Sequence, residues 1–230
     1  MKNISKLLVV IVLIGFSLTS CKNSKEDNKE TNTIVETEEK EVKTEQKTAV
    51  ETVINANLAS EEDLKGLGLS EAIVSSILEQ RPFLVMNDLD AILQNTNKEA
   101  LYKKMFVPFN LNTTAEADFK MIPGVGDKMA HEFDEYRPYI SVKQFKREIG
   151  KYVDDDEVNR YLNYVFVPVE LNTASEEDIK ALPGVGKRMT HEFEEYRPYA
   201  NLAQFRKEIG KYVNDKELKR LERLVYLKTE

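Results

Sequence analysis

The chain has no tryptophan, a single cysteine and two histidines in 230 residues. One cysteine excludes an internal disulfide framework and any cysteine-based zinc cage. Two histidines leave little for metal binding or histidine-based catalysis. Positive charge is also in deficit, with a formal net charge of −7. That sum works against unselective attraction to phosphate polymers. Hydrophobic residues make up 41% and charged residues 32%, so a core can form but cannot extend through the whole chain. The one long apolar run, Leu7 to Leu18, falls short of the ~20 residues of a membrane-spanning helix.

What surrounds that run gives it a meaning. Lys2 and Lys6 precede it, and Leu18-Thr19-Ser20-Cys21 closes it. Basic start, apolar middle and small-residue end make a secretory signal. The last four residues resemble the lipobox of bacterial lipoproteins. The resemblance implies removal of residues 1–20 and lipidation of Cys21, and several acyl chains on one residue hold a protein at a membrane. The expected location is therefore the cell envelope, lipid-anchored, at an outer membrane, periplasmic or surface-exposed. From Cys21 to Val50 the chain is Glu, Lys, Thr and Asn without an aromatic residue. Such a stretch buries too little apolar surface to offset chain entropy and reads as a disordered tether. Lys25-Glu26-Asp27 resembles an export signal of surface lipoproteins and reads equally as solvated linker.

The remainder repeats. Leu111-Asn112-Thr113, Pro123-Gly124-Val125-Gly126 and Glu135-Tyr136-Arg137-Pro138-Tyr139 recur sixty residues on, as Leu171-Asn172-Thr173, Pro183-Gly184-Val185-Gly186 and Glu195-Tyr196-Arg197-Pro198-Tyr199. A more distant copy precedes them. Asn57-Leu58-Ala59-Ser60-Glu61-Glu62-Asp63 matches Asn172 to Asp178, and Arg81-Pro82-Phe83 matches Arg197-Pro198-Tyr199. One residue is missing between those anchors, and Gly68-Leu69-Ser70 replaces Gly-Val-Gly. The units are 51–108, 109–168 and 169–230.

Each unit reads as four short helices, giving an all-α fold. In the third, Thr173 with Glu176 has the capping-box pattern, opening a helix with Ile179 and Leu182. Pro183-Gly184-Val185-Gly186 interrupts. Met189, Phe193 and Tyr196 form the apolar stripe of a second helix, ended by Arg197-Pro198. Leu202, Phe205 and Ile209 mark a third, with Gly210 as its C′ residue. Asn214 with Glu217 opens a fourth. Strand character is confined to the Val-Phe-Val-Pro junction at 165–168.

Helix, Pro-Gly-Val-Gly, helix is similar to the helix-hairpin-helix motif. The string from Leu171 to Gly186 resembles the ComEA-type competence family over units two and three. That resemblance implies paired helix-hairpin-helix domains binding double-stranded DNA outside the cytoplasmic membrane, during DNA uptake, without catalysis. It also implies a monovalent cation on the hairpin carbonyls, and no other cofactor. The physics suits phosphate: glycines let a ligand approach the backbone, and helix N-termini offer N–H groups and partial positive charge. The expected contacts are Gly184, Val185, Gly186, Lys187 and Arg188 in unit three, and Gly124, Val125 and Gly126 in unit two. Asp127 follows the second set and opposes phosphate. Ser70 makes the first hairpin structural.

Acidic residues outnumber basic ones in units one and two and balance them in unit three. There Lys211, Lys216, Lys219, Arg220 and Arg223 form either a basic footprint or the solvated face of a helix. Arg81, Arg137 and Arg197 read as phosphate contacts or as charges bonding the last helix carbonyls. His131 and His191 read as packing or surface residues, or as a paired metal site. The clusters Asp154 to Glu157 and Glu176 to Asp178 sit at helix starts, where carboxylates are favoured. No nucleophile–base pair is visible, so an enzyme is not expected. The alternative to DNA binding is a protein-interaction or scaffold module of the envelope.

Overall fold

The computed structural model describes residues 52–94 and 96–228. Cys21, the signal segment and the tether lie outside the described residues. The described part is helix-rich with six very short strands, and the same order of elements occurs three times. First come β1 (Ile54–Asn55), α1 (Glu61–Gly66), α2 (Glu71–Gln80), α3 (Met86–Ile92), α4 (Lys98–Tyr102) and β2 (Met105–Phe106). Next are β3 (Phe109–Asn110), a 3-10 helix (Glu116–Met121), α5 (Asp127–Glu135), α6 (Val142–Ile149), α7 (Asp155–Tyr161) and β4 (Val165–Phe166). Last are β5 (Val169–Glu170), α8 (Glu176–Lys180), α9 (Lys187–Glu195), α10 (Leu202–Ile209), α11 (Asp215–Glu222) and β6 (Val225–Tyr226).

The strands qualify the all-α expectation. Each unit opens and closes on a two-residue strand, and the two pair in parallel: Ile54 with Met105, Phe109 with Val165, Val169 with Val225. The four helices are thus a crossover between paired ends. Two residues are too few to display alternation, which is why only the 165–168 junction had strand character in the sequence.

Capping fixes where the helices begin. Asn214 accepts from the Glu217 N–H at 2.9 Å, as its spacing implies. In the first helix of unit three the cap is Ser175, which accepts from the Asp178 N–H at 3.1 Å, and not Thr173. Thr173 instead donates to the Glu170 carboxylate at 2.6 Å. Gly210 is the C-cap of α10, in right-handed conformation with φ −61°, where the sequence placed it at C′.

Two recurring clamps shape the segment after the second helix. Asn172 accepts from the Tyr199 N–H at 2.7 Å and donates to the Tyr199 carbonyl at 3.0 Å. Asn112 holds Tyr139 and Asn57 holds Phe83 in the same way. The arginine before each proline is the second clamp. Arg197 donates to the carbonyls of Leu171 at 2.6 Å and Ala174 at 2.9 Å. Arg137 donates to those of Leu111 and Thr114 and pairs with Asp134. Both guanidinium forks therefore satisfy the turn after the opening strand, and neither the last helix carbonyls nor a free surface receives them. Arg81 is the exception: its Nε and Nη2 are buried with no acceptor among the described residues. Burial pushes its basicity down.

The aromatic core runs across the first junction. Phe106 meets Phe109 edge-on at 5.2 Å, and Phe119 meets Phe133 at 5.3 Å. Units one and two share one hydrophobic cluster, while Phe193, Phe205 and Leu221 anchor a separate one in unit three.

Candidate functional site

The turn between the first and second helices is built alike in units two and three. Gly124 and Gly184 take φ of +83° and +70°, a left-handed conformation that a side chain would strain. Val125 and Val185 point inward, 6% and 5% exposed, and pin the turn to the core. Their N–H groups donate to Ile122 and Leu182 carbonyls at 3.0 and 3.1 Å. The Val125 and Val185 N–H groups are thus already bonded within the turn. Gly126 and Gly186 then become the N-cap residues of α5 and α9, exposed and, among the described residues, with no side chain capping the helix. The orphan N–H groups of both helix starts are presented to solvent.

Unit one differs at that point. Ser70 is the N-cap of α2, and its hydroxyl accepts from the Ile73 N–H at 3.4 Å. One N–H that would face an external acceptor is already bonded within the chain.

Charge then separates units two and three. At α9 the first two residues are Lys187 and Arg188, both exposed, and Arg188 lies over the Tyr212 ring at 5.7 Å. At α5 Asp127 comes first and pairs with Lys120 at 2.9 Å, while Lys128 stands over Tyr152 at 5.8 Å. The helix dipole and two cations act together in unit three, whereas a carboxylate opposes them in unit two.

The expected basic footprint of α11 is redirected. Lys216 donates to the Glu79 carbonyl at 3.0 Å, at the end of α2. Arg223 donates to the carbonyls of Phe83 at 3.1 Å and Pro108 at 2.5 Å. Burial, aided by nearby Arg220, pushes its guanidinium down to about 10. Arg220 is 2% exposed and donates to Pro183 at 2.6 Å and to Glu217. Lys216 and Arg223 therefore serve contacts with unit one, and Arg220 serves contacts within unit three. Lys211 pairs with Glu208, and Lys219 stays exposed.

A residue that sequence reasoning overlooked lies at the same place. Leu58 of unit one reaches the unit-three turn: a Cβ on Gly184 would stand 2.5 Å from its Cδ1. The signal was available, since Leu58 aligns with Thr113 and Thr173. An apolar tip replaces a hydroxyl.

The remaining candidates are dispersed. His131 lies near Glu116 and Glu135 at 3.8 and 3.9 Å, and His191 near Glu195 at 3.6 Å, all exposed. Among the described residues no cluster of three metal-ligating side chains occurs. Asp154 caps α7, and Asp178 accepts from the Val142 N–H at 3.0 Å across the junction of units two and three. At the unit-three turn the Pro183 carbonyl accepts from the Arg220 guanidinium. No described helix is long and apolar enough to cross a membrane. Comparison with protein-family models, curated proteins and solved structures gives no match.

Proposed function

We propose that the chain carries three tandem helix-hairpin-helix units and binds double-stranded DNA without catalysis and without sequence preference. In this reading Cys21 bears the lipid that holds it in the cell envelope, where DNA is received or held during uptake. The N–H groups opening α9 at Gly186, Lys187 and Arg188 take one phosphate, with the two side chains adding charge. Gly126 and Lys128 take a second, weaker one, because Asp127 stands between them. Gly124, Gly184, Val125 and Val185 hold the turns in shape. Unit one is a structural unit.

The observation that carries this reading is the contrast in capping. Among the described residues no side chain caps two of the exposed helix starts, while the third, at Ser70, supplies its own cap. The test is a fluorescence-anisotropy titration of the full chain against a duplex at low salt. Binding that weakens with added salt, and weakens further in Lys187→Glu, supports it. Absence of binding at low salt defeats it.

A second reading has its own support. The commitment of Lys216, Arg220 and Arg223 to contacts inside the chain leaves unit three with a smaller free basic surface. That favours a protein-interaction or scaffold module of the envelope, which predicts co-purifying protein and no salt-sensitive affinity for DNA.

A further inference from the structure

Arg188 is held differently from the other arginines of unit three. Arg197, Arg206, Arg220 and Arg223 spend N–H groups on carbonyls or carboxylates of the chain. Arg188 is exposed, and among the described residues no carbonyl or carboxylate accepts from it. Its contact is the Tyr212 ring, whose centroid lies 5.7 Å from the guanidinium carbon. A ring face attracts a cation without using its donors. The guanidinium N–H groups stay available at the second residue of α9, beside the uncapped helix start.

Tyr212 is itself fixed. Its hydroxyl meets that of Tyr196 at 2.7 Å, and the two rings lie 6.4 Å apart. Hydrogen bonds with Tyr196 and the Glu192 carboxylate hold that hydroxyl above the usual phenol range. Glu192 is 8% exposed, and its Oε2 has no partner among the described residues. It follows Arg188 by four residues, on the same helix face, where a carboxylate favours a cation.

Unit two repeats the arrangement. Lys128 stands over Tyr152, the Tyr152 hydroxyl meets Tyr136 at 2.7 Å, and Glu132 is buried four residues after Lys128. Unit one has none of it. Ala72, Ser76 and Gln80 stand at the α2 positions that correspond to Arg188, Glu192 and Tyr196, and Ser70 caps the helix. The cluster accompanies the uncapped helix start and is dispensable to the fold of a unit.

We propose that Tyr212 is the positioning residue of the α9 phosphate site, holding Arg188 at the helix start with its donors free, and that Tyr152 does the same for Lys128 at α5. The proposal rests on the phosphate site of the DNA reading. A guanidinium held by its face presents a planar fork to two phosphate oxygens, whereas an ammonium offers a point charge. Holding a long side chain in place also removes part of the cost of ordering it on binding. The Gly210-Lys211-Tyr212 loop thereby joins the site through a ring.

The probe is a DNA duplex, titrated into the full chain at low salt and followed by anisotropy. Tyr212→Leu should weaken affinity about fivefold, and Tyr212→Phe, which keeps the ring, about twofold or less. In the Arg188→Ala chain Tyr212→Leu should cost nothing further, while in the Lys187→Ala chain it should keep its full effect. A merely structural tyrosine would act alike in both backgrounds, and unfolding midpoints show that each variant folds. Duplex binding that Tyr212→Leu leaves unchanged, or weakens equally in the Arg188→Ala chain, overturns the proposal and leaves the DNA reading standing. Absence of duplex binding by the parent chain defeats the DNA reading, and inorganic phosphate then decides the proposal. Saturable phosphate shifts of the Gly186, Lys187 and Arg188 amides, weaker in Tyr212→Leu, uphold it. No such shifts, or equal affinity in Tyr212→Leu, overturn it.

Discussion

Leu58 lies over Gly184, so close that a Cβ on the glycine would come within 2.5 Å of the leucine side chain. The first unit is thereby seated on the turn of the third, more than a hundred residues away in the chain. Three glycines test this by their differences. Gly186 has open space around it and φ −86°. Gly124 has φ +83° with only the Arg160 Nη2 at 3.4 Å. Gly184 combines positive φ with the Leu58 contact. Alanine should cost a few tenths of a kcal/mol at 186, about 1 kcal/mol at 124, and about 2–3 kcal/mol at 184. Denaturant unfolding measures the series. Leu58→Ala should recover part of the cost at 184 and none at 124, the coupling expected of residues in contact.

The three arginines before proline should respond in opposite ways to methionine. Arg197→Met leaves the Leu171 and Ala174 carbonyls without their donors and should cost about 2–3 kcal/mol. Arg137→Met should cost a similar amount. Arg81→Met removes a half-buried cation whose Nε and Nη2 have no described acceptor, and should be neutral or stabilising. Thermal or denaturant unfolding of the three variants gives the order directly.

Acid should destabilise the fold in a defined window. The Arg160 guanidinium, bonded to Glu157, holds that carboxyl below its ordinary 4.5, and Arg206 does the same to Glu222. The unfolded chain therefore binds more protons at these sites than the folded one. Their stabilisation is complete above about pH 4.5 and is lost as pH falls through the depressed folded values. Unfolding midpoints between pH 7 and 3 should show this decline. Glu157→Gln and Glu222→Gln should each flatten it while lowering stability at pH 7.

Cations that are spent inside the molecule should matter little to DNA. Lys187→Glu and Arg188→Glu should each weaken duplex binding about tenfold or more, while Lys216→Glu should change it less than threefold and lower stability instead. Anisotropy and unfolding on the same samples separate the two effects.

Local chemistry was readable in the sequence, and long-range placement was not. Asn214 with Glu217, the Met189–Phe193–Tyr196 stripe and the Pro-Gly-Val-Gly break each state a helix boundary within a few residues, and α9 and α11 begin accordingly. Thr173 and Ser175 are both capable caps, and only the nearby Glu170 carboxylate decides between them by taking the threonine hydroxyl. Strand pairs of two residues leave no pattern to read. The roles of Arg137 and Arg197 depend on a turn some twenty residues upstream folding back beneath them. The fate of Lys216 and Arg223 depends on unit one, and that of Arg220 on Pro183 and Glu217 in its own unit, so cations that read as a solvated or DNA-facing surface are internal contacts instead. The turn glycines were legible as a local motif, but the leucine resting on one of them was not.

The most direct test of DNA binding at the α9 helix start is the salt dependence of duplex affinity for the full chain. Few phosphates are engaged, so log K against log salt should fall with a slope of about −3. The double variant Lys187→Glu, Arg188→Glu should bring that slope toward −1. A flat salt dependence, or an unchanged slope in the double variant, would contradict the assignment of phosphate binding to Gly186, Lys187 and Arg188.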